Sequence, residues 1–337
     1  MAIILPQDHP AYTRLKNQNI PVRAETAYEF SRAAGKGLPV TLGFVNLMPT
    51  IYLDETVDLL LARLARADQD IRPVFIHPED RRKGLFWNEA KKQKLDCMLV
   101  TGYAASNEPF ENLTFWAELC HILDDVKEQK LPLFGVCAGA MAIANHHYGI
   151  AKERAPHKLL GNYEYKTPEG RSLFLATSRH NTLNRDDLLQ AVEGQGLRII
   201  AETEQTPQPE PAVIVDPTRN VLLTLAHLEY GNGTSYYPNF ENEKLDILTY
   251  QYKRDHRRDA CYDPELAARV KPPVNVPLNT GQVQAREAYA EQLLAGWVQQ
   301  AYERKLALAA QQNAITIREE AVEQDTAPTQ GYRSFTA

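Results

Sequence analysis

The chain has 337 residues, with 37 lysine and arginine side chains against 43 aspartate and glutamate, a formal net charge of −6 at neutral pH. Hydrophobic residues make up 44% and charged residues 24%, the balance of a folded, water-soluble protein with chain enough for one large α/β domain or two small ones. These figures exclude general disorder, a collagen-like fibre and a disulfide scaffold. The acidic balance also argues against nucleic acid as the main partner, since phosphate binding needs a basic face.

Met1 to Tyr12 holds a short apolar run, Ala2 to Pro6, but it lacks a basic flank and Asp8 interrupts it, so it does not read as a secretory leader. No apolar run approaches the roughly 20 residues needed to span a bilayer, and no membrane association is expected. The four cysteines, Cys97, Cys120, Cys137 and Cys261, show neither CxxC pairing nor metal-type spacing. A reduced, cytoplasmic setting is expected, in which any one of them could be a working thiol.

In chain order, residues 1 to about 36 read as polar and irregular, ending in Gly35-Lys36-Gly37. Leu38 to Val45 reads as a buried strand that stops at Asn46-Leu47-Met48-Pro49. Asp54 to Ala67 follows as a helix with Val57, Leu60, Leu61 and Leu64 on one stripe. Pro73 to Ile76 and Leu95 to Val100 are further strands, the latter ending at Thr101-Gly102. Phe115 to Gln129 is an amphipathic helix with Trp116, Leu119, Ile122 and Leu123 inward. A fourth strand, Leu131 to Val136, runs into Cys137 and a helix through His147. After Gly149 the pattern breaks into short segments at Lys158 to Tyr165, Leu173 to His180 and Leu197 to Glu204. Ala212 to Val215 and Val221 to Leu225 flank Asp216-Pro217-Thr218-Arg219-Asn220 as a hairpin whose second strand delivers His227. Gln282 to Ala310 is a long helix with Tyr289, Leu293, Trp297 and Tyr302 on or near one face. The alternation implies an α/β fold with a mostly parallel sheet and helices on both faces, and ligands at the carboxyl ends of its strands. The ends at Asn46, Gly102 and Cys137 should lie close together.

The most informative stretch is Leu133-Phe134-Gly135-Val136-Cys137-Ala138-Gly139-Ala140. A buried strand, one cysteine at its end and small residues opening a helix make a nucleophile elbow. The small neighbours permit a sharp, strained turn, and the helix aims its free N–H groups and positive dipole end at the sulfur, which raises the thiolate fraction. The N–H of Ala138 is then one oxyanion donor, and the Gly102-Tyr103 turn, at Tyr103, supplies the second. Leu225-Ala226-His227-Leu228-Glu229-Tyr230 follows an apolar strand, and residues two apart on extended chain share a side. Glu229 can therefore hold the imidazole while its other nitrogen faces Cys137. No metal site is read from the chain.

Cys137, His227 and Glu229 resemble the triad shared by class I glutamine amidotransferases and homoserine O-acyltransferases. Asn46-Leu47-Met48-Pro49 with Glu55, Val100-Thr101-Gly102 with Phe110 and Trp116, Tyr148-Gly149-Ile150, His157-Lys158-Leu159, Ser178-Arg179 and Asn275-Val276-Pro277, with the helix around Trp297, are similar to the acyltransferases over roughly residues 1 to 305. The resemblance implies a class I glutamine amidotransferase-like (flavodoxin-like) fold. It also implies acyl transfer from acyl-CoA, as cosubstrate with no permanently bound cofactor, to the hydroxyl of homoserine through a Cys137 thioester. His227 would be the base, oriented by Glu229. Lys158, Ser178 and Arg254 fall where the family binds the amino acid, and Ser106 where it selects the acyl donor. Serine is small and uncharged there, which favours succinyl over acetyl. A homodimer with small-molecule substrates and no nucleic acid is implied.

The chain departs from the family pattern at Ile51, where a lysine is usual, and at Ala138, where a tryptophan is usual. A serine acceptor, a glutaminase or hydrolase using the same triad, and a non-catalytic relative are the alternatives. The organisation read from sequence is an N-terminal extension (1–36), an α/β catalytic domain (37–261), a proline-rich loop (262–281), a C-terminal helix packed on the domain (282–310) and a flexible tail (311–337).

Overall fold

The computed structural model describes residues 2–26, 39–48, 50–103, 108–206, 208–230 and 278–326. The expectations for Ser106, Arg254, Cys261, Asn275-Val276-Pro277 and most of the proline-rich loop lie outside these residues.

Six strands of the N-terminal half are β1 (Ile3–Leu5), β2 (Val22–Ala24), β3 (Val40–Val45), β4 (Ile71–Ile76), β5 (Cys97–Val100) and β6 (Leu133–Val136). Between and after them come α1 (Pro10–Asn17), α2 (Thr50–Leu64), α3 (Trp87–Ala90), α4 (Trp116–Glu128) and α5 (Ala138–Tyr148). The second half supplies β7 (Lys152–Lys166), β8 (Ser172–Leu183), α6 (Arg185–Gln195), β9 (Arg198–Thr203), β10 (Glu210–Asp216), β11 (Val221–Thr224) and α7 (Thr280–Thr326). Among the described residues all eleven strands form one sheet, in the order β2-β1-β4-β3-β5-β6-β11-β10-β9-β7-β8. The pairings from β2 to β11 are parallel; those from β11 onward are antiparallel.

The parallel strands bury both faces, so alternate residues enter different cores. Leu42, Phe44, Leu99, Phe134, Val136 and Leu222 join one core, covered by α1, α2 and α7. Val45, Met98, Val100, Leu133, Val221 and Leu223 join the other, covered by α4, α5 and α6. The stripe Val57, Leu60, Leu61 and Leu64 of α2 is buried in the first core, as its spacing predicts. Helix α7 lies over the same face: Trp297 packs on Phe134 with ring centroids 5.5 Å apart, and Arg63 of α2 meets Glu287 at 2.6 Å. No described helix is long and apolar enough to cross a membrane.

Three readings of the sequence are corrected. The first 26 residues are not irregular: Ile3, Ile4 and Leu5 are buried, and β1 pairs in parallel with both β2 and β4. Strands of three residues are too short to show a period. The segments after Gly149 are not short; β7 and β8 form one long antiparallel hairpin, with a register shift between Arg154 and Leu159. Finally, the C-terminal helix does not stop at 310 but continues to Thr326, so the start of the expected tail is helical. Residues 306–316 are exposed and rich in alanine, leucine and glutamine, so helix propensity rather than packing carries this stretch.

The turn from β6 into α5 depends on Gly139. A Cβ there would lie 2.3 Å from the Thr101 carbonyl oxygen and 2.6 Å from that of Val100, both backbone atoms that cannot swing aside. Gly139→Ala is therefore expected to cost about 3 kcal/mol of stability or more. Chemical denaturation checks this; an unchanged midpoint would show that the elbow does not press on β5.

Candidate active site

The carboxyl ends of β3, β5 and β6, neighbours in the sheet, come together as expected. Thr101 Oγ1 accepts a hydrogen bond from the Leu47 N–H at 2.9 Å and lies 3.3 Å from Asn46 Oδ1. A Cβ on Gly102 would fall 3.3 Å from Cys137 Cβ and 3.8 Å from the Ala138 nitrogen. The Gly102-Tyr103 turn thus abuts the nucleophile candidate and the first amide of α5. That amide has no carbonyl one turn back to bind, so it is free by position to meet a developing negative charge.

Cys137 has φ 52° and ψ −117°, a conformation that side-chain-bearing residues rarely adopt. It is held by its N–H bond to the Thr224 carbonyl (2.7 Å) and by its own carbonyl, which accepts from Met141 N–H (3.2 Å). The first bond ties the elbow to β11, whose Thr224 lies beside Val136 in parallel register. Just past that strand, the Leu225 N–H bonds the Ala212 carbonyl at 2.7 Å, and the His227 N–H bonds the Ala176 carbonyl of β8 at 2.8 Å. The backbone of β8 and β10 therefore fixes where the imidazole stands.

His227 Nδ1–H donates to Glu229 Oε1 at 2.7 Å, and Glu229 is only 6% exposed. The Tyr230 ring lies flat on the imidazole, with centroids 4.5 Å apart and planes 5° apart. The other ring nitrogen, Nε2, is buried and has no hydrogen bond of ordinary geometry among the described residues. The ring and the Cys137 sulfur nevertheless shift each other's proton affinity. Burial alone would lower the imidazole's affinity for its proton, but the Glu229 carboxylate and the Cys137 sulfur outweigh it and raise the pKa to about 10. Burial pushes the Cys137 thiol up; the nearby His227 charge, with help from Arg179, more than reverses this and holds it below the usual thiol value. The other two described cysteines shift the opposite way: burial drives Cys97 well up and Cys120 up to about 11. The described thiol poised to ionise is the one at the elbow.

Of the other expected residues, Ser178 is half-buried on β8, two positions from Ala176 and so on the same side of the strand. Lys158 falls in β7 within the register shift, and its side chain lies outside the described residues, as do those of Ile51 and Glu55. Tyr103 is buried and packs edge-on against Phe115, 5.5 Å between centroids. Burial and the nearby Cys137 sulfur push its phenol up. The sequence reading gave no role to Arg179 or Tyr230. Arg179 is 4% exposed in β8, and its charge reaches the thiol. The available signal was the polar run from Thr177 to Thr182, unusual after the apolar Leu173 to Ala176 of the same strand.

The family description homoserine O-succinyltransferase matches residues 2–304. A homoserine O-acetyltransferase of Methanomassiliicoccus intestinalis is 31% identical over 275 residues, 76% of this chain and 81% of that protein. One from Clostridium acetobutylicum is 28% identical, covering 80% of this chain and 91% of the relative. A homoserine O-succinyltransferase of Pelagibacterium halotolerans is 26% identical, covering 90% and 95%. Among solved structures, a glutamine amidotransferase from Thermotoga maritima is similar with a TM-score of 0.49 and 13% identity, over 79% of this chain and all of that one.

If His227 holds the thiol down, His227→Gln should move the alkylation profile of Cys137 above the ordinary thiol value, because burial is then unopposed. Iodoacetamide labelling of the Cys137 peptide near pH 7 should slow about tenfold or more. An identical pH profile in the variant would mean that ring and sulfur are not coupled.

Proposed function

The chain belongs to the homoserine O-succinyltransferase family, and from that premise we propose that it moves an acyl group from an acyl-coenzyme A to the hydroxyl of L-homoserine through a thioester on Cys137. The observation that carries this reading is the strained Cys137 at the end of β6, charge-coupled to an imidazole that Glu229 holds at 2.7 Å.

In this account the Cys137 thiolate attacks the carbonyl carbon of the acyl-CoA. Negative charge collects on the carbonyl oxygen, where the N–H groups of Ala138 and Tyr103 are the proposed donors. The bond to the coenzyme sulfur breaks, and the departing thiolate takes the proton of the His227 imidazolium. The ring is now neutral, and once coenzyme A has left it removes the hydroxyl proton of homoserine as that oxygen attacks the Cys137 thioester. The carbon–sulfur bond breaks, releasing the ester and restoring the thiolate beside the imidazolium. The first half exchanges one thioester for another with little change in free energy; the second converts a thioester to an ester and is downhill. Water must be kept out, because hydrolysis of the acyl-enzyme competes with transfer.

Lys158, Ser178 and Arg254 are assigned to the amino acid, an arginine being suited to a carboxylate through two parallel charge-assisted hydrogen bonds. Relatives bear both succinyl and acetyl names. Succinyl is proposed for this chain because Ser106 neither fills the donor pocket nor repels a second carboxylate. No permanently bound cofactor takes part, and a homodimer in the cytoplasm is the proposed setting.

Intact mass after incubation with succinyl-CoA, acetyl-CoA or glutamine tests the reading. One added succinyl group, absent in Cys137→Ala and discharged by homoserine in preference to serine, is the expected result. An adduct only from acetyl-CoA would overturn the donor assignment. Ammonia released from glutamine, with no acyl adduct from either donor, would overturn the transferase reading.

A further inference from the structure

Strand β8 is last in the sheet order, three places from β10, yet the two strands meet. The antiparallel end of the sheet curls until Ala176 of β8 pairs with His227, just beyond β11. Inside the curl, Arg179 of β8 donates from Nη2 to Glu210 Oε2 of β10 at 2.9 Å, and both residues are buried. The Thr182 hydroxyl donates to the same carboxylate oxygen, and the Arg179 guanidinium also reaches the Asn181 carbonyl at 3.4 Å and the Pro211 carbonyl at 3.5 Å. One residue past Pro211, the Ala212 carbonyl receives the Leu225 and Ala226 N–H groups, and three residues before Arg179, the Ala176 carbonyl receives that of His227. The segment that delivers the imidazole is thus strung between two strands, and Glu210 of β10, bonded by both Arg179 and Thr182 of β8, ties those strands through side chains.

We propose that Arg179, with Glu210 and Thr182, is a positioning residue: the buried pair locks β8 to β10 and so sets the His227 ring against Cys137. This rests on the acyl-transfer reading for its kinetic consequences, though not for its geometry. A buried ion pair is a poor source of net stability, since desolvation offsets the attraction, and its attested use is to fix one arrangement among several. The second consequence is electrostatic. Among the described residues, the charged groups acting on the Cys137 sulfur are His227 and Arg179, which favour the thiolate, and Glu229, which opposes it, while the neutral Tyr103 phenol packs nearby. Glu210 offsets the charge of Arg179 without touching the sulfur.

Removing Arg179 alone would strand the Glu210 carboxylate, so the informative variant is the neutral pair Arg179→Met with Glu210→Gln, compared with Arg179→Lys. Folding is checked by circular dichroism and thermal melting. The proposal expects the neutral pair to remain folded, to move the Cys137 alkylation midpoint upward and to lower kcat by about tenfold to a hundredfold, with KM for homoserine changed about threefold or less. Arg179→Lys should retain most of the wild-type pH profile. A neutral pair with a lower melting temperature but wild-type kcat and alkylation profile would reduce the pair to a structural contact and overturn the proposal. If the neutral pair does not fold, Arg179→Lys decides on the same readouts: with charge kept but the planar fork lost, an unchanged kcat would overturn positioning and a reduced one would support it. Wild-type protein that alkylates normally but takes no acyl group would instead count against the reaction, leaving the alkylation shift as the test of the clamp.

Discussion

Glu229 carries an ionisable carboxyl with almost no access to water, and among the described residues the charge-compensating contact at its Oε1 is the His227 Nδ1–H at 2.7 Å. A carboxylate removed from water must be paired, and here the partner is a titratable ring rather than an arginine. The ring is therefore held in its charged form, which in turn favours negative charge on the sulfur that faces it. Glu229 thus favours charge on the Cys137 sulfur only through the ring, since its own charge acts against the thiolate. Tyr230 adds a flat wall to the ring and limits its rotation.

The fold supplies the two halves of this arrangement from different places. Cys137 belongs to the parallel half, where β6 turns sharply into α5 and the helix dipole points at the sulfur. His227 belongs to the antiparallel half, where the chain leaving β11 passes from β10 to β8. The Cys137 N–H bond to the Thr224 carbonyl joins them, so backbone contacts carry the elbow and the segment bearing the ring toward each other. Helix α7 backs this junction through Trp297 on Phe134, three residues before the cysteine.

The elbow at Cys137 and the His227–Glu229 pair were legible because each rests on a local pattern. Buried strand, cysteine and small residues at 135 and 139 need no knowledge of the rest of the chain, and neither does a His-x-Glu at a strand end. The α2 stripe was legible for the same reason, since its period is local. What escaped reading depends on distant pairing. Ile3 to Leu5 make a strand by pairing with β2, and join the main sheet because β4, some seventy residues later, offers an edge at Ile71. Arg179 has no role to read until Glu210, on a strand that is not its neighbour, is brought against it by the curl of the sheet. The exposed end of α7 escaped because no described residue packs on it to impose a stripe.

The most direct test of this account is the protonation state of the His227 ring itself. In protein carrying 15N-labelled histidine, the ring nitrogens of His227, assigned by its loss in His227→Gln, report whether one or two protons are present. The account predicts a doubly protonated ring at neutral pH that gives up its proton only near pH 10, and at lower pH when Cys137 is replaced by alanine. A neutral single tautomer at pH 7, titrating near the ordinary histidine value in both proteins, would contradict it.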